Sequence, residues 1–114
     1  ERAAEVQQLI EVITDDLMER NVQFQQEPQQ RVQLDCLALV SSQDLLLREL
    51  FVAIWKRQAW PRQAMGSDQW QRLAELVATA TDDVEQVTQC FPGQVTAKKE
   101  GESLWLTRPR ENHP

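Results

Sequence analysis

The stretch LLLRELFVAIWKRQAWPRQAMGSDQWQRLAELV, residues 45–77, reads as two helices and the break between them. Leu47, Leu50, Phe51 and Ile54 recur at i, i+3, i+4 and i+7, which is one face of a helix, and Leu46 and Trp55 widen it. The pattern predicts a helix from Gln43 to about Gln58, apolar enough to form the centre of a core. Ser41 and Ser42 stand as N-cap candidates, with Asp44 in the first turn. Trp60-Pro61 breaks the helix, because a residue before proline is pushed out of the helical region, and Gly66 permits a turn. Ser67 reads as the next N-cap. The second helix then runs from Asp68 to about Ala80, with Trp70, Leu73, Ala74 and Val77 on one face and Thr81-Asp82-Asp83 ending it.

Toward the N-terminus, Ala3, Val6, Ile10, Ile13 and Leu17 alternate in steps of three and four, one narrow seam of a helix from Glu1 to roughly Arg20. Glu5, Glu11, Asp15, Asp16 and Glu19 lie opposite. The seam faces either the domain's own core or a neighbouring domain or second copy. Val22-Gln23-Phe24-Gln25 and Arg31-Val32-Gln33-Leu34 alternate on either side of a polar turn containing Pro28, the pattern of a β-hairpin. The glutamines around that turn read as loop composition. Asp35 to Val40 is a connector of at most one short helical turn. Beyond the helical pair the period changes. Val87 to Phe91, Val95 to Lys98 and Leu104 to Thr107 are strands separated by Pro92-Gly93 and Glu100-Gly101, an antiparallel meander.

The expected class is therefore α+β: three main helices, a short β-hairpin and a C-terminal strand meander in a single domain spanning 1–114. Its parts are an acidic helix (1–21), the hairpin (22–34), the helical pair (43–80), the meander (86–108) and a polar tail (109–114). The 114 residues are one domain's worth. The opening residues carry acids throughout and lack the apolar stretch of a signal peptide, and no apolar run approaches a membrane span. A start at Glu1 rather than Met suggests a piece of a longer protein.

The chemistry expected of an enzyme is missing. There is no Gly-rich phosphate loop among only three glycines, no nucleophile elbow and no paired-histidine motif. The single histidine, His113, sits next to the last residue. Asp15-Asp16 and Asp82-Asp83 are adjacent pairs whose side chains diverge on a helix, so neither makes a natural metal site. Cys36 and Cys90 form no metal-ligand spacing; they read as two buried thiols of a reducing cytosol, or as a disulfide.

The net charge of −6 argues against a stand-alone nucleic-acid binder. The charge is uneven, however: −5 over residues 1–35, +2 over 36–73 and −3 over 74–114. In the positive middle, Arg48, Lys56 and Arg57 lie on the polar side or C-terminal end of the central helix, Arg62 follows in the loop, and Trp60 sits among them. Cations beside a ring suit RNA, since cations meet phosphates and a ring stacks bases. The same residues also suit a plain helix end, where the dipole favours cations.

The run 45–77 resembles the recognition domain of tRNA(Ile)-lysidine synthase. The resemblance is carried by Leu47-Arg48 leading to Trp55, the loop from Trp60 to Gly66, the helix opening at Ser67-Asp68, the Phe91-Pro92-Gly93 turn and the strand Leu104-Trp105-Leu106. It covers roughly residues 37–108, and the first helix matches the linker helix preceding this region. The resemblance implies a cytoplasmic tRNA-modifying ligase whose separate N-terminal domain uses ATP and lysine to convert a wobble cytidine to lysidine. This chain would be its accessory domain, non-catalytic and without a cofactor of its own, with tRNA and the catalytic domain as partners and no membrane. Candidate RNA contacts are Arg48, Lys56, Arg57 and Arg62, with Lys98 and Lys99 beside a turn. The rival expectation is a structural or protein-interaction domain that touches no RNA. The two differ in whether the basic residues share one face.

Overall fold

In the computed structural model, which describes residues 2–79 and 87–109, the chain opens with helix α1 (Arg2–Asn21). Strands β1 (Val22–Gln25) and β2 (Gln30–Asp35) follow, then a single turn α2 (Cys36–Leu39) and helices α3 (Asp44–Gln58) and α4 (Ser67–Ala78). Strands β3 (Val87–Phe91), β4 (Val95–Glu100) and β5 (Ser103–Arg108) complete it. The fold is α+β, as expected. Hairpin and meander are not separate, however. β2 pairs antiparallel with β5, Val32 opposite Leu106 and Leu34 opposite Leu104, so all strands join one five-stranded sheet in the order β1-β2-β5-β4-β3.

Strand alternation decides which side the helices cover. Val32, Leu34, Val95, Ala97, Leu104 and Leu106 are fully buried against the helical layer, around Leu50, Phe51, Ile54 and Trp55 of α3 and Leu73 of α4. The intervening residues, among them Arg31, Gln33, Thr96, Lys98, Trp105 and Thr107, remain partly accessible on the opposite, uncovered face. This is a two-layer packing of helices on one side of an antiparallel sheet.

Several local expectations are corrected. Neither Ser41 nor Ser42 caps α3; its N-cap is Gln43, which makes no side-chain cap bond. The helix does end at Gln58, as expected, and Ala59 after it turns left-handed at φ 58. The N-cap of α4 is Gly66, not Ser67, and the Gln69 amide oxygen accepts the Gly66 N–H at 2.8 Å. The connector holds one short helical turn, in line with the expectation: Asp35 caps α2 by accepting the Ala38 N–H at 3.3 Å. The seam of α1 is only half used. Thr14 and Met18 are buried and Ile10, Ile13 and Leu17 half-buried, but Val6, Leu9 and Val12 are 55–65% exposed. Cys36 and Cys90 are both free: Cys36 is buried on the helical side, whereas Cys90 is exposed, so they are not two buried thiols. Asp82-Asp83, the helix end at Thr81, His113 and the tail beyond Pro109 lie outside the described residues.

Candidate nucleic-acid interface

Three connections meet at one end of the sheet, and polar side chains tie them together. Gln58, the last residue of α3 and 5% exposed, accepts on its side-chain oxygen from Gln26 Nε2 at 2.9 Å. Gln30 Nε2 is 3.4 Å from the Gln58 carbonyl. Trp60 Nε1 donates to Gln30 Oε1 at 2.8 Å. The hairpin turn, the end of α3 and the start of the α3–α4 loop are thus one unit. The glutamines read as loop composition are its fasteners, a role visible only once segments about thirty positions apart come together.

The β3–β4 turn belongs to the same end. Gly93 has φ 88, and a Cβ there would lie 3.3 Å from the Pro61 ring. Arg108 Nε donates to the Gly93 carbonyl at 2.9 Å, and Arg108 stands opposite Gln30 in the ladder. Lys56 and Arg57 form the last turn of α3, Arg62 is exposed in the loop beside Pro61, and Arg31 begins the run of β2 next to Gln30. Lys56, Arg57 and Arg62 thus cluster at the end of α3 and in the loop after it, whereas Arg31, paired with Thr107, belongs to the uncovered face of the sheet. The other end is acidic: Glu19, Asp35 and Glu102 line one depression there, alongside Arg20.

Arg57 is held in place by stacking. Its guanidinium carbon lies 4.2 Å from the centre of the Phe24 ring, and one nitrogen is 3.9 Å from Met18 Sδ. Lys56 and Arg57 also border a groove of about 390 Å³ between α1 and α3, into which Glu11, Asp15 and Glu49 project. Arg57 borders a second depression with Asp15 and Glu19, so acids of α1 flank it in both.

Three expected members of the site lie elsewhere. Arg48 and Arg57 are nine residues apart, which at about 100° per residue puts them on opposite sides of α3. Arg48 is half-buried on the line of Trp55, and its Nε is buried without a hydrogen-bond partner. Trp60 is no surface ring: it is 3% exposed and packs edge-on against Trp55 at 4.9 Å, so it cannot stack a base. Lys99 is 3% exposed, and its ammonium donates to the carbonyls of Leu76, Val77 and Thr79 at 2.8, 2.9 and 2.9 Å. It closes the C-terminus of α4, where helix carbonyls lack partners and the dipole favours a cation. Its neighbour Lys98 points to the uncovered face and pairs with Glu100 at 3.0 Å.

Sequence reasoning missed Arg31 and Trp105. Both stood in alternating strands at outward positions, which was the available signal. Their juxtaposition depends on the β2–β5 pairing, which no local pattern announces. Among the described residues no group of three His, Cys, Asp or Glu side chains is placed to hold a metal ion, and no helix is long and apolar enough to cross a membrane. No family model, curated protein or solved structure matches the chain.

Proposed function

We propose that this domain recognises tRNA on behalf of a tRNA(Ile)-lysidine synthase-like ligase, with ATP, lysine and the bond-making steps belonging to a separate catalytic domain. The observation that supports this reading most is the clustering of Lys56, Arg57 and Arg62 at the end of α3 and in the loop after it. Phosphates are met by cations, and cations fixed on a framework give up less conformational freedom on binding. Arg57 stacked on Phe24 is such a group. Of the residues singled out from the sequence, Lys56, Arg57 and Arg62 carry the reading, Lys98 contributes from the uncovered face, and Arg48 and Lys99 leave it. The acids of α1 repel phosphate and confine RNA to the end and the open sheet face.

A rival reading rests on a different observation. Val6, Leu9 and Val12 leave an apolar row exposed on the first half of α1, which suits a protein-interaction role without RNA contact.

Filter binding of tRNA to the full-length protein across a salt series separates the two. Arg57→Glu and Arg62→Glu should each weaken binding and lower the salt slope by about one, with ATP affinity unchanged. If both reversals leave affinity and slope where they were, the recognition reading is wrong and the interaction reading takes its place.

A further inference from the structure

The uncovered face of the sheet carries one aromatic side chain at its centre. Trp105 stands in β5 between the buried Leu104 and Leu106, so strand alternation aims it away from the helices. Its direct neighbours across the ladder are Gln33 on β2 and Lys98 on β4. Arg31 reaches over from β2, and its guanidinium carbon lies 4.5 Å from the centre of the Trp105 rings. A depression of about 190 Å³ lies beside this pair, bordered by Gln23, Phe24, Gln25, Arg31, Gln33 and Trp105.

We infer that this face binds an unpaired nucleotide of an RNA, with the base stacked on the Arg31–Trp105 pair and its edge read by the glutamines of β1 and β2. The inference rests on the tRNA-recognition reading and extends it from phosphate contact to a base-binding site. Three features argue for this occupant. A guanidinium lying on an indole presents a flat cationic surface of the kind unstacked bases adopt as a platform. Carboxamides offer a donor and an acceptor side by side, which base edges require: Gln25 and Gln33 each spend one donor, on the Glu27 carbonyl at 2.7 Å and on Ser103 Oγ at 3.2 Å, and keep an amide hydrogen and the oxygen for a base. The charge also fits an anionic strand: Arg31 lies against the ring, while the Lys98 beside it is offset by its ion pair with Glu100 at 3.0 Å and Asp35 is engaged with the Ala38 N–H.

A duplex keeps its bases stacked on one another, so single-stranded RNA should be preferred. The test uses the full-length protein with a short single-stranded RNA carrying 4-thiouridine, the matching duplex, and tRNA, all at low salt. Trp105→Ala should lower single-strand affinity roughly ten-fold and leave duplex affinity nearly unchanged. Trp105→Tyr, which keeps a stacking ring, should restore most of it. Photo-crosslinks from the thiolated base, mapped on the unaltered protein, should fall on β2 and β5 around Trp105. Crosslinks confined to the α3–α4 loop, with Trp105→Ala binding as the parent does, would overturn the base site and leave the phosphate-binding reading standing. Insensitivity to Trp105→Ala, Arg57→Glu and Arg62→Glu together would overturn both.

Discussion

The ammonium of Lys99 sits 2.8 Å from the carbonyl oxygen of Leu76, joining the middle of the meander to the end of α4 across the core. Two further carbonyls, those of Val77 and Thr79, complete its shell. One residue earlier, Lys98 faces outward. Two adjacent lysines thus have opposite duties because successive strand residues point to opposite sides of the sheet.

Lys99→Met should therefore act on stability and not on RNA affinity. Removing the buried cation takes a donor from three carbonyls, of which Leu76 keeps the Thr79 N–H, and should cost about 2–4 kcal/mol. Urea denaturation measures the loss. A variant as stable as the parent that binds tRNA less tightly would instead make Lys99 a contact residue.

The two thiols should differ in reactivity. Burial pushes the Cys36 thiol above its ordinary pKa, an effect only partly opposed by the nearby Lys99 ammonium, while Cys90 is exposed. A thiol reagent should label Cys90 in the folded protein and Cys36 only after unfolding. The sign of the pH effect follows. A raised folded pKa gives stability that is present below the unfolded thiol pKa and lost as pH rises through the folded value. Stability should thus fall on the alkaline side, and Cys36→Ala should flatten that part of the curve. Rapid labelling of Cys36 in the folded state would contradict its placement.

Along α1 the cost of truncation should rise from start to end. Leu9, 60% exposed, should tolerate Ala within about 0.5 kcal/mol. Ile10 is half-buried and should lose about 1 kcal/mol, whereas Met18, buried beside Arg57, should lose about 2 kcal/mol. Chemical denaturation of the three variants gives the profile. Equal losses at Leu9 and Met18 would mean that the first half of the helix is covered in solution.

Gly93→Ala tests the joint between the β3–β4 turn and the α3–α4 loop. The residue combines φ 88 with a Cβ position 3.3 Å from Pro61. A side chain there is strained by its backbone and crowded by the proline ring, so a loss of about 1–2 kcal/mol is expected. Thermal melting would register it. Gly101→Ala shares the positive φ, at 57, but meets nothing within 4 Å, and should cost less.

The sequence by itself determined the element types and nearly all their extents. Helical periodicity is local, and so is strand alternation around turn residues such as Pro92-Gly93 and Gly101. It also marked the end of α3 as cationic, because Lys56 and Arg57 are neighbours in the chain. Tertiary structure alone decided what each side chain does. Trp60 looked like a surface ring and is buried, since its indole finds Gln30 about thirty positions away. Lys98 and Lys99 looked equivalent and lie on opposite faces. Arg31 and Trp105 carried no joint signal, because antiparallel pairing of β2 with β5 brings together residues 74 positions apart in the chain. Such a pairing is fixed by the fit of two apolar faces against one helical layer, a property of the assembled core and of no segment within it.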